Sequence, residues 1–330
     1  MLRWNVDLAD ERWQSDKTAN KVSESLLAGE LVAIPTETVY GLAADASNPV
    51  ACAKIFAAKG RPQFNPLISH VASLDDALQH GHFNEAALET AKAFWPGPLT
   101  IVVPRKNSSS ICDLATAGLP SVALRVPSGP VMRFLAKHTG RPLAAPSANI
   151  SGKISTTTAA AVEHDLGTHL SYLVDAGPCS VGIESTIVAF VDDTPRLLRP
   201  GGLSRGAIES LLGRPLETAE TVTQDAPQAP GMLTSHYAPE AGVRLNASHV
   251  NPGEALLAFG EQNLEGSEAA CAVINLSKNA NLVEAAARLF AAMRELDACG
   301  AASICVQGIP EVGLGEAIND RLRRAAAPRP

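Results

Sequence analysis

Residues 31–42 read Leu31-Val32-Ala33-Ile34-Pro35-Thr36-Glu37-Thr38-Val39-Tyr40-Gly41-Leu42. The first four are a short, bounded apolar run, the pattern of a buried strand, and Pro35 stops it. Hydroxyls then alternate with bulky groups. The end of a strand is where α/β proteins place ligands. The segment therefore reads either as a polar pocket for a small ligand or as a turn of locally bonded threonines. Upstream, 17–28 reads as a helix ended by Gly29. Downstream, Asn48-Pro49 reads as a cap and first helical residue, opening a helix to Ala58. The alternation continues, with strands expected at 66–71, 99–103, 122–126, 142–145, 172–175, 185–191 and 196–198. Helices are expected after Ser73, at 84–94, 131–138 and 158–166, and from Ser204 to Leu212. Strands and helices intermixed in this way make residues 1–217 an α/β domain.

Residues 214–240 break the pattern with Pro215, Pro227, Pro230 and Pro239 among polar residues. A linker is placed at 218–240. The tail, 241–330, restarts with apolar strands at 255–259, 271–276 and 304–306 and helices at 282–297 and 315–326. That order predicts a small Rossmann-like three-layer α/β domain with a mostly parallel sheet. It has no G-x-G-x-x-G, so a dinucleotide site is not supported.

A chain of 330 residues fits two domains, and its 46% hydrophobic content argues against disorder. Net charge is −7, and residues 1–217 carry 19 basic and 21 acidic groups, so no basic arm or acidic tail exists. Aromatics are 4%, too few for a platform that stacks single-stranded bases. No apolar run approaches the ~18 residues of a membrane span. The polar, acidic start is unlike a signal peptide, and six cysteines without a C-x-x-C read as reduced core thiols of a cytoplasmic protein. His80-x-His82 reads as a solvated loop, and no structural metal site is visible.

Several cations stand in unusual settings. Lys59-Gly60-Arg61-Pro62 puts two on a short constrained loop at a helix end, followed by Asn65-Pro66-Leu67. Such a loop suits a polyphosphate, with lysine as point charge and arginine as fork, or it compensates the helix dipole. It is not a Walker A loop. Arg125 lies inside the apolar run 122–126, where a charge needs a partner or a ligand. Arg199 closes Leu197-Leu198-Arg199-Pro200-Gly201, and Gly182-Ile183-Glu184-Ser185-Thr186 precedes another strand; each reads as ligand contact, ion pair or cap. Ala144 to Gly152, with Ser147 and Asn149 two apart, offers small residues that let a ligand approach the backbone, or is an ordinary strand-to-helix loop. His70, in a strand, reads first as a satisfied core group.

Together these segments resemble the YrdC family in its long two-domain form. The matching stretches are P-T-E-T-V-Y-G-L at 35–42, K-G-R-P at 59–62, N-P-L at 65–67 and F-W-P-G-P-L-T at 94–100. They continue with A-L-R-V-P at 123–127, A-P-S-A-N-I-S-G at 145–152, G-I-E-S-T-I-V at 182–188 and L-R-P-G at 198–201. The resemblance implies a twisted mixed-sheet domain with flanking helices. It also implies synthesis of threonylcarbamoyl-AMP from L-threonine, bicarbonate and ATP with Mg²⁺, for threonylcarbamoyl modification of tRNA adenosine. Lys59 and Arg61 would hold the triphosphate and balance transition-state charge. Asn65, Ser121, Ser147, Asn149, Ser155 and Arg199 would lie on the ATP side. Thr38, His70, Arg125, Ala145 and Ser185 would lie on the threonine side, with Arg125 on the substrate carboxylate. His236-Tyr237 would close the linker over the nucleotide as a lid. Leu233, Thr234 and Ser235 are neutral where some long-form members carry basic residues. Handover of the product to a tRNA threonylcarbamoyl-transferase is implied, with tRNA contact weak or indirect. The rival readings are a non-catalytic module binding tRNA or double-stranded RNA, and a carbamoyltransferase component of the hydrogenase-maturation kind. The charge balance argues against the first, and the missing cysteine-rich segment against the second.

Overall fold

The computed structural model describes residues 1–62, 65–218 and 236–328. Most of the linker, including 233–235, therefore lies outside the described residues. Val32–Pro35 is the expected strand, and it turns back antiparallel onto Tyr40–Asp45, with Pro35 opposite Tyr40. This second strand went unread in the sequence. It carries Gly41, Ala43 and Ala44, residues with weak strand preference, and all six positions are buried, so no alternation marks it.

The hairpin lies inside an 11-stranded sheet. Leu2–Asn5 and Tyr172–Asp175 flank it on one side, parallel to each other. On the other side come Leu143–Ala144, Ile68–His70, Ser121–Arg125, Leu99–Pro104, Thr186–Ala189, Arg196–Arg199 and Glu217–Thr218, in that order. Parallel and antiparallel pairs are mixed, as expected. The first strand hides in a polar N-terminus, where only Trp4 of its four residues is buried.

Helix starts follow their caps. Asn48 accepts from the amides of Val50 and Ala51, and Ser73 accepts from that of Asp76. Gly60 takes the left-handed conformation (φ 60°) that ends Pro49–Lys59 and turns the chain toward Arg61. Two expectations are corrected. His80 is buried at the end of helix Leu74–His80, with Nδ1 3.1 Å from Ser109 Oγ, because the following Gly81 pairs with Arg105 and draws the segment onto the sheet. Cys271 and Cys299 are exposed; only Cys52, Cys179 and Cys305 are buried.

The tail holds a parallel sheet ordered Gly242–Ala247, Ser303–Gln307, Glu254–Ala258, Val273–Asn275. Helices Leu282–Ala298 and Leu314–Ala326 pack against the face bearing Ala255, Leu257, Ile304 and Val306. The opposite face packs with Val250, Leu264 and Ala270, so its covering layer is the two connections 248–253 and 259–272, with one short helical turn, Ser267–Ala269. The tail core continues into the first domain through Val39, Ile154, Ile183 and Tyr237. Gly182 (φ +75°) makes this junction possible: a Cβ there would stand 2.4 Å from Ala287 of the tail helix. Arg294 to Asp165 (2.6 Å) and Arg205 to Glu316 (2.6 Å) clamp it further.

Candidate active site

The turn after Val32–Pro35 is tied within itself. Thr36 Oγ1 donates to the Val39 carbonyl at 2.7 Å and lies 2.9 Å from Thr38 Oγ1. This local bonding frees Glu37 to reach across the sheet. Its carboxylate accepts from Arg125 Nη2 at 2.7 Å and from the Gly129 amide at 3.0 Å. Arg125 Nε donates to the Gly97 carbonyl at 3.3 Å. The buried arginine thus already has a protein partner, where a substrate carboxylate was expected; Nη1 is the nitrogen with no hydrogen-bond partner among the described residues. Burial pulls Glu37 toward the neutral form, but Arg125 and these hydrogen bonds hold it at about 2.

Lys59, at the end of its helix, is buried, and its Nζ donates to the carbonyls of Ser147 (2.6 Å) and Asn149. It therefore braces the 145–152 loop from behind. Arg61, also buried, donates to the Pro66 carbonyl at 3.1 Å. Arg199 donates twice to the Ser185 carbonyl, at 2.9 and 3.1 Å, and to Ser185 Oγ at 3.2 Å. Ser185 Oγ in turn lies 2.8 Å from Thr100 Oγ1. Burial lowers all three cations, Lys59 far below the usual lysine range and Arg61 to about 10; Arg61 depresses Lys59 further, and Arg199 depresses Arg61. Crowded buried cations of this kind are stabilised by an anion.

Arg61, Arg125, Ser185 and Arg199 border an open cleft of about 510 Å³. Thr38, His70, Arg125, Ala145 and Ser185, assigned to the threonine side, all line it, as do Arg61, Ser147, Arg199 and Tyr237 from the ATP side. Lys59, Asn65, Asn149 and Ser155 are buried outside the lining. Asn149 Nδ2 ties the loop by donating to the carbonyls of Ile150 and Lys153. Ser121 is not brought to the cleft: it begins the strand that Arg125 ends, opposite Pro104, roughly 13 Å away at strand rise. Nδ1 of His70 and of His236, which both line the cleft, and Oδ1 of Asn65 and Asn149, which lie outside it, are buried without a hydrogen-bond partner among the described residues. His70 is buried as the first reading expects, with Nδ1 left without a partner among the described residues.

Sequence reasoning missed Glu37 and Glu184 as site members. Both lie within quoted motifs, but their partners are distant in sequence. Glu184 is buried, lines the cleft and accepts from Ser155 Oγ (2.5 Å) and Arg321 Nε (2.8 Å). Arg321, on the last helix, carried no sequence signal at all.

The buried histidines predict an acid-sensitive fold. Burial pushes the imidazoles of His70 and His236 down to about 3. Each is neutral in the fold, while the unfolded chain protonates near pH 6.5, so stability declines as pH falls below that value. Two such groups each cost on the order of 1 kcal/mol per pH unit below that value, so the unfolding free energy at pH 5.5 is expected roughly 2–3 kcal/mol below that at pH 7.5. Below about pH 4.5, Glu37 and Glu184, both held at about 2, add to the loss. Urea unfolding across this range checks the expectation; a flat profile from pH 7.5 to 5.5 contradicts neutral burial of both rings.

Comparison with known proteins places the chain in a family. Residues 24–201 match the Sua5–YciO–YrdC family, described as "Telomere recombination". Residues 203–327 match the threonylcarbamoyl-AMP synthase C-terminal domain. The threonylcarbamoyl-AMP synthase of Bacillus subtilis is 38% identical, over 99% of this chain and 98% of that protein. The protein of the same name from Pyrococcus abyssi is 39% identical, over 98% and 97%. The crystal structure of P. abyssi Sua5 complexed with L-threonine superposes with a TM-score of 0.89 at 35% identity, covering 99% of this chain and 98% of that one. The chain belongs to the threonylcarbamoyl-AMP synthase family, in its two-domain form.

Proposed function

We propose that this chain makes L-threonylcarbamoyl-AMP from L-threonine, bicarbonate and ATP, releasing pyrophosphate and water, for modification of tRNA adenosine next to the anticodon. The observation that carries the reading is the cleft itself: buried Arg61 and Arg199 share one lining with His70, Arg125 and the small residues of the 145–147 turn. The threonine amine takes up CO₂ from bicarbonate and loses a proton to give a carbamate. A carbamate oxygen then attacks the α-phosphorus, and the bond to the pyrophosphate oxygen breaks. Such a reaction needs alignment and charge neutralisation more than a nucleophilic side chain.

Arg125, steadied by Glu37, offers its remaining donor to the threonine carboxylate, and Thr38, His70, Ser185 and the backbone at Ala145 shape the amino-acid side. Lys59, Arg61 and Arg199 balance the triphosphate, with Asn65, Ser147, Asn149 and Ser155 supporting that side. Ser121 joins the ATP side only at its far margin. Mg²⁺ arrives with ATP as substrate. Glu37 and Glu184 are each tied to an arginine, and among the described residues no cluster of three acidic, histidine or cysteine side chains could hold a metal ion. Residues 1–217 form the catalytic unit, 218–240 a lid-bearing linker and 241–330 the supporting domain. A cytoplasmic location and handover to a tRNA-modifying transferase complete the reading; among the described residues no helix is long and apolar enough to cross a membrane.

Pyrophosphate release from ATP is expected only when threonine and bicarbonate are both present. Release independent of either co-substrate refutes the reading. Salt-dependent tRNA binding without any ATP chemistry favours the RNA-binding alternative instead.

A further inference from the structure

Arg321 is fully enclosed, although it belongs to the tail helix Leu314–Ala326 and its main partner lies 137 residues away. Nε donates to Glu184 Oε2 at 2.8 Å, and Nη1 donates to the Pro200 carbonyl at 2.9 Å and to Asp320 at 2.6 Å. Its guanidinium carbon stands 5.2 Å from the centroid of the Tyr237 ring. That ring also stacks on Phe290 of the other tail helix, with centroids 5.5 Å apart. A buried ion pair is weak evidence for stability, since well-packed apolar residues often serve as well or better. Its place in the molecule is more telling. Glu184 lines the cleft, within electrostatic reach of Lys59 and Arg199. An unrestrained carboxylate there would pair with these cations and compete with phosphate for them.

We infer that Arg321 is a positioning residue of the nucleotide site: it keeps Glu184 from pairing with Lys59 and Arg199, and it seats Tyr237 over the cleft. The C-terminal domain thereby completes the active site with one side chain, without touching substrate. The inference rests on the reading that these cations meet the phosphates of ATP. The cation–π contact acts in the same direction, since Tyr237 has a positive φ of 62° and needs outside contacts to stay so.

The test uses the full chain, with ATP affinity by titration calorimetry and kinetics by pyrophosphate release. Arg321→Gln is expected to raise Kd and KM for ATP about tenfold or more, with KM for threonine and kcat within about threefold of wild type. Adding Glu184→Gln removes the competing carboxylate and brings Kd for ATP back to within about threefold of wild type. Arg321→Lys, which keeps charge but loses the fork, falls between. Unchanged ATP affinity in Arg321→Gln overturns the inference. So does a double variant as impaired as the single one, which makes Arg321 a packing residue. If Arg321→Gln does not fold, Arg321→Lys and the double variant carry the same comparison. Wild type that binds ATP but releases no pyrophosphate overturns the proposed reaction and leaves the affinity comparison standing.

Discussion

Lys59→Ala is expected to lower kcat/KM for ATP by about a thousandfold. Lys59 acts at two levels. Its ammonium donates to the carbonyls of Ser147 and Asn149, so it fixes the loop that forms one wall of the cleft. With Arg61 and Arg199 it is also one of the buried cations assigned to the triphosphate, and burial together with Arg61 disfavours its charged form. A triphosphate bound nearby is expected to favour the charged form again. Removing one such preorganised group from a transition state typically costs about 10²–10³ in rate. Loss of the loop brace places this variant at the upper end. Lys59→Met keeps most of the volume but, like alanine, has no donor for the Ser147 and Asn149 carbonyls, so it separates lost packing from the lost ammonium. Its expected melting temperature lies between those of the alanine variant and wild type, while its activity stays as low as that of the alanine variant. Steady-state pyrophosphate release decides the matter, and turnover within about threefold of wild type for either variant refutes the assigned role.

Lys59 was legible in the sequence because the signal is local. A helix ends at Gly60, and a cation stands on each side of it. Arg125 was legible for a related reason, as a lone charge in the apolar strand Ser121–Arg125. The partners of these residues were not legible. Glu37 meets Arg125 across 88 residues, and Glu184 meets Arg321 across 137. Nothing in spacing or composition marks pairings that only the closed sheet and the docked tail create. The strand Tyr40–Asp45 was hidden similarly. Burial on both faces erases the period-two pattern, and its small residues are there because the 145–148 loop lies against it, with Leu42 bonded to the Pro146 carbonyl and Ala148 to that of Tyr40. His80 shows the converse error. Its polar neighbours suggested solvent, but a helix end is buried or exposed according to what the next residues pair with. Ordered motifs conveyed the family and most of the cleft; long-range charge pairing required the fold.

That distinction gives the second large effect. Arg125→Ala is expected to destabilise the fold by about 3–5 kcal/mol, because it leaves the buried Glu37 carboxylate with the Gly129 amide but no cation. It is also expected to raise KM for threonine about a hundredfold, the scale of one charge-assisted contact to the substrate carboxylate. The two losses have different origins and can be separated. Glu37→Gln combined with Arg125→Met removes both charges while keeping the volume, and replacing a buried pair in this way is often close to neutral. Urea unfolding should then return most of the way to wild type. Threonine use should not, because no guanidinium remains to meet the carboxylate. If the double variant recovers KM for threonine along with stability, Arg125 serves only to partner Glu37, and the amino-acid side of the cleft needs another anchor. If it recovers stability alone, the buried pair is scaffolding for a donor aimed at substrate, and the lone charge in an apolar strand owes its place to the ligand.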